Sequence, residues 1–110
     1  RKRKESAPAS VPDRPHLLKW LKDSENAAAY IEAVLEEGDP VGLLQALRNV
    51  AESRGGVSQI ARKTGLSREA LYRTLSKRGN PQLRSLTAIL GATGLRLSVR
   101  PSEAKARKAA

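Results

Sequence analysis

Within one short stretch, Ser67, Arg68, Glu69, Tyr72, Arg73 and Ser76 supply side chains able to meet a nucleic acid. Arginine presents a planar fork that bonds guanine edges or phosphate oxygens. Hydroxyls reach phosphates, and a carboxylate accepts from the cytosine amino group. Lys77 and Arg78 follow directly, where cations complement a helix C-terminus or touch phosphates. Ser58 and Gln59 join them upstream as polar candidates for the same ligand. The candidate chemistry is hydrogen bonding and ion pairing with a polyanion, not bond breaking.

The stretch that must position these groups is Val57 to Ser76, VSQIARKTGLSREALYRTLS. It has the layout of a helix-turn-helix. Ile60, Ala61 and Thr64 give a first short helix an inward side. Gly65 breaks that helix, because a left-handed exit favours glycine. Leu66 plugs the turn, and Ser67 is a good N-cap for the next helix. The second helix is expected over 68–76, with Ala70, Leu71, Thr74 and Leu75 inward at helical spacing. An ordinary helical hairpin is the plainer alternative. A merely solvated face, however, more often mixes Lys and Glu four apart than it shows Arg, Tyr and Ser together.

The charge distribution agrees. The 110-residue chain has a net charge of +10, divided as +3 over residues 1–15, −4 over 16–53 and +11 over 54–110. A polyanion suits the basic half, and a basic protein suits the acidic one. With no Cys and a single His16, neither a thiol nucleophile, a disulfide nor a His/Cys metal site is expected. Glu36 and Glu37 are adjacent, so they diverge on a helix and do not converge as a general acid and base. The Gly55-Gly56 pair lacks the Lys and Ser/Thr of a phosphate-cradling loop. The reading is therefore non-enzymatic, without cofactor or metal. No run of eighteen apolar residues suggests a membrane span. No secretory leader is expected, and the cytoplasm is the default compartment.

In chain order, residues 1–15 read as a disordered basic tail opening Arg1-Lys2-Arg3-Lys4. Residues 16–100 read as one domain, and 101–110 as a basic C-terminal tail. His16 to Leu21 suggests one helical turn that anchors Trp20. Asp23 or Ser24 caps a helix to Glu37, whose stripe is Ala27, Tyr30, Ile31, Val34 and Leu35. Gly38 ends it, and Asp39-Pro40 starts the next, which buries Leu43, Leu44, Leu47, Val50 and Ala51. Leu83, Leu86, Ile89 and Leu90 mark a last helix ended by Gly94. Gly91 is an oddity inside it, read as close packing or early fraying. Leu95 to Arg100 alternates apolar and polar residues, which predicts a β-strand presenting Leu95, Leu97 and Val99. A lone strand needs a partner, so pairing in a homodimer or with another protein's sheet is expected.

From about Leu21 to Arg100 the sequence resembles the addiction-module antidote proteins, HigA-like antitoxins of type II toxin–antitoxin systems. The segments AAAYIEAVLEEGDP, LLQALRNVAESRGGVSQIARKTGLSREALYRTLS and GNPQLRSLTAILGATGLRLSV carry the resemblance. The resemblance implies an all-α, lambda-repressor-like domain of about five helices, followed here by the C-terminal β-strand. It also implies binding of a small basic RelE/ParE-like toxin and repression of the antitoxin's own operon. By position, Ser67, Arg68, Glu69, Tyr72 and Arg73 then face a double-stranded DNA operator. The basic N-terminal tail departs from the pattern. A stand-alone regulator, or an interaction module that has lost DNA binding, is the alternative.

A basic toxin would meet an acidic surface. Glu25, Glu32 and Glu36 fall near one helical face, being seven and four apart. With Trp20, they are the candidate toxin-binding residues.

Overall fold

The computed structural model describes residues 13–102. They form six helices: α1 (Arg14–Leu21), α2 (Ser24–Glu37), α3 (Pro40–Ser53), α4 (Val57–Thr64), α5 (Arg68–Thr74) and α6 (Leu83–Ala92). Of the tails expected over residues 1–15 and 101–110, residues 1–12 and 103–110 lie outside the described residues, while Arg14 and Pro15 belong to α1.

Local sequence sets most helix starts. The Asp13 carboxylate accepts from the His16 N–H, and Pro15 sits in the first turn of α1. Helix α1 therefore begins two residues before the boundary expected at His16. Of the two caps weighed for α2 it is Asp23 that serves, accepting from Glu25 and Asn26 at 2.8 and 3.4 Å. Asp39 caps α3 by accepting from the Val41 N–H at 3.1 Å. Gly38 and Gly94 leave α2 and α6 with positive φ, at the positions expected.

One core holds all six helices. Leu21, Leu47, Val50, Ile60, Leu71, Leu75 and Ile89 are its largest fully buried side chains. Each contributes roughly 1.5–3 kcal/mol by leaving water. Helix α3 is the common wall, packing on α1, α2 and α4, while α4 packs on α5 and α6.

Three expectations need correction. The β-strand is not formed: residues 95–100 are neither strand nor helix, and a single such segment has no neighbour to bond. Gly91 is neither packed closely nor frayed. A Cβ there would meet nothing within 4 Å, and α6 continues through it to Ala92. Helix α5 stops at Thr74, with the buried Leu75 as its cap residue, not at Ser76.

Candidate nucleic-acid interface

Helices α4 and α5 are joined by Gly65, Leu66 and Ser67. Gly65 takes φ +79° and donates its N–H to the Ala61 carbonyl at 2.9 Å. The Thr64 hydroxyl donates to the Ile60 carbonyl at 2.8 Å and accepts from the Leu66 N–H at 3.1 Å. The Gly65 and Leu66 N–H groups of the turn are thus satisfied from within α4. Ser67 is extended, and its hydroxyl accepts from the Ala70 N–H at 3.0 Å. Ile60 and Leu71 are each 1% exposed and lock the two helices to the core. Ala61 and Leu66 pack around them.

With one side of α5 locked, the other is open. Arg68, Glu69, Tyr72 and Arg73 are all exposed, Tyr72 by 55%. Lys77 and Arg78 are exposed in the turn beyond the helix. Ser58 is exposed at the start of α4 and lines a cleft of about 400 Å³ with Tyr72, Arg14 and Arg48. Other candidates are already engaged. Gln59 is half-buried and accepts from Arg62 Nε at 2.9 Å. The Ser76 hydroxyl donates to the Arg73 carbonyl at 2.8 Å, and Ser67 is spent as the cap.

Two arginines beside this face escaped the sequence reading. Arg48 Nη1 donates to the Leu75 carbonyl at 2.9 Å, so the cation meeting the end of α5 comes from α3. Its signal was isolation: Arg48 is the only Lys or Arg between Asp23 and Ser53. Arg14 lies in the stretch taken for a tail. It donates to Asn49 Oδ1 at 2.9 Å and pairs with Glu52. Asn49, 4% exposed, passes the link on by donating to the Tyr30 hydroxyl at 2.9 Å.

The acidic candidates form a second surface. Glu25, Glu32 and Glu36 line one groove of about 690 Å³ between α2 and residues 94–100. Leu35, 49% exposed, lies among them. Arg100 donates to Glu32 at 3.2 Å across it. Trp20 is not part of this groove. It is half-buried against the core, edge-on to Tyr30 with ring centroids 6.4 Å apart. Among the described residues, no cluster of three or more His, Cys, Asp or Glu side chains could hold a metal ion. No described helix is long and apolar enough to cross a membrane.

A capped two-helix unit with a basic open face, beside a separate acidic groove, is what comparison with known proteins has to explain. A family model described as "Probable addiction module antidote protein" matches residues 14–101. The chain belongs to this antidote family. The match opens on the first residue of α1 and runs past Arg100, so it takes in both surfaces and residues 95–100. An uncharacterized protein of Haemophilus influenzae (strain ATCC 51907 / DSM 11121 / KW20 / Rd) is 37% identical over 82 residues. That similarity covers 74% of this chain and 84% of the relative. No solved structure matches the chain. Membership of an antidote family implies an antitoxin role, and a toxin as partner in general.

Proposed function

We propose that this antidote neutralises a small basic RelE/ParE-like toxin by direct binding and represses its own operon as a dimer. In this reading α4 and α5 are a helix-turn-helix, and α5 enters the major groove of the operator. One observation carries it. The open face of a capped, core-locked helix holds Arg68, Glu69, Tyr72 and Arg73, in the half of the chain with net +11. Helix α4 supports the DNA contact. Its N-cap is Gly56, which offers no side-chain oxygen, so the first N–H groups remain available to a phosphate.

The DNA reading is tested by titrating variants on the protein's own promoter region. Arg68→Ala and Arg73→Ala are each expected to cost about 1–3 kcal/mol of discrimination between operator and random DNA. Lys77→Ala should weaken both alike and lower the salt slope by about one. Equal losses on both DNAs for the two arginines would remove them from base reading.

The toxin reading rests on the groove that gathers Glu25, Glu32 and Glu36 around Leu35. Charge steers a basic partner, and a neighbouring apolar side chain holds it. Triple reversal to lysine should slow toxin association at least about tenfold at low salt and flatten its salt dependence. Operator binding should persist. The Glu25/Glu36 double reversal leaves the Glu32–Arg100 pair in place and should show most of the effect. Toxin association unchanged at low and moderate salt would move the interface off α2.

A further inference from the structure

Residues 95–100 carry an unspent surface. The Leu95 N–H donates to the Leu90 carbonyl at 2.8 Å. From Arg96 to Arg100, the backbone makes no backbone–backbone hydrogen bond among the described residues. The segment is nevertheless placed. It starts at Gly94 beside the Ser24 hydroxyl and reaches Glu32 through Arg100, so it runs along α2 in the same direction. Leu95 packs on the core, Leu97 is 44% exposed and Val99 is 95% exposed.

We propose that residues 95–99 pair antiparallel with the same residues of a second copy, with Leu97 on the two-fold axis. The proposal rests on the dimer reading above and supplies its contact. Directly opposed residues of an antiparallel pair share a face. The order Leu95-Arg96-Leu97-Ser98-Val99 is symmetric about Leu97 in apolar and polar character. Pairing about Leu97 sets Leu95 against Val99 and Leu97 against itself. Arg96 then faces Ser98, and Arg100 faces Gly94. Pairing about Ser98 sets Arg96 against Arg100, two like charges. An axis between Leu97 and Ser98 sets apolar residues against polar ones. One register satisfies both faces. The occupant is a second copy, because the apolar and polar order reads the same in both directions about Leu97, and a second copy brings the matching order in the antiparallel sense.

The chain has no cysteine, so a single introduced thiol reports the register cleanly. Cα atoms of opposed residues lie about 4.5–5.5 Å apart, within disulfide reach. The two copies of residue 95, or of residue 99, are then four positions out of step, about 13 Å apart and out of reach. Sedimentation of the full chain is measured alongside oxidative cross-linking of Leu95→Cys, Leu97→Cys and Val99→Cys. The expected result is a dimer in solution, with Leu97→Cys cross-linking at least tenfold faster than the other two. A dimer in which Leu95→Cys or Val99→Cys cross-links faster overturns the register and leaves the dimer reading standing. A monomer at about 100 μM with no cross-linking overturns both. Loss of the Leu97→Cys cross-link on adding purified toxin, with a one-to-one complex formed, would assign the segment to the toxin instead.

Discussion

Gly79→Ala is expected to lower the stability of the fold by about 3 kcal/mol and to cost operator affinity as well. A Cβ at residue 79 would sit 1.9 Å from the Thr74 carbonyl oxygen and 2.6 Å from its carbon. Those are backbone atoms at the end of α5, so no rotamer change relieves the clash. The Arg73 carbonyl lies at 3.0 Å from the same point. The loop or the last turn of α5 must move, and Arg73, Lys77 and Arg78 move with it. Gly91→Ala is the internal control. It adds a methyl group to open space on a helix and should stabilise by about 0.5–1 kcal/mol. Urea midpoints of the two variants therefore move in opposite directions. A midpoint for Gly79→Ala indistinguishable from the parent would show that the loop yields freely.

Arg54→Ala carries the second large effect, a loss of about 3 kcal/mol, or roughly 15 °C in Tm for a domain of this size. Arg54 Nη1 donates to the Leu21 carbonyl at 2.7 Å and to the Ser53 hydroxyl at 3.1 Å. Its Nε donates to the Thr93 carbonyl at 3.2 Å. Leu21 ends α1 and Thr93 follows α6, so one guanidinium joins two helix C-termini to the end of α3. Cations are favoured at such ends, and alanine leaves both carbonyls without this donor, on residues 0% and 3% exposed. Arg54→Lys keeps the charge but not the fork, and should recover about half the loss. Calorimetry checks the series. Equal melting temperatures for Arg54→Lys and the parent would reduce the role to charge alone.

Those two residues show where the sequence was readable and where it was not. Helix starts were legible because Asp23, Asp39 and Ser67 act on backbone groups two or three residues away. Most of the inward faces of α2 to α6 were legible because burial follows the helical period, but Leu35 and Leu83, read into those stripes, are 49% and 69% exposed. The open face of α5 followed from subtraction, once Leu71 and Leu75 were placed inside. Contacts distant in sequence were not legible. The reach of Arg54 to Thr93, and of Arg48 to Leu75, depends on how helices cross. Gly91 was read as close packing or early fraying, yet the space around it is open, whereas the tight approach is at Gly79, in the loop after α5. The alternation of residues 95–100 was real as a pattern. It predicted a strand, but hydrogen bonding needs a neighbour that one copy does not contain.

The single core behind α1 to α6 also ties the two surfaces to one lifetime. Ile31 and Leu90, which line the acidic groove, belong to the same cluster as Ile60, Leu71 and Leu75, behind the basic face. Neither half can be shed while the other stays folded. Under the proposed function, unfolding of that one core by a protease would free the toxin and empty the promoter in one event. Turnover of this chain then reads out as a coincident rise in toxin activity and transcription, without a separate signal for either.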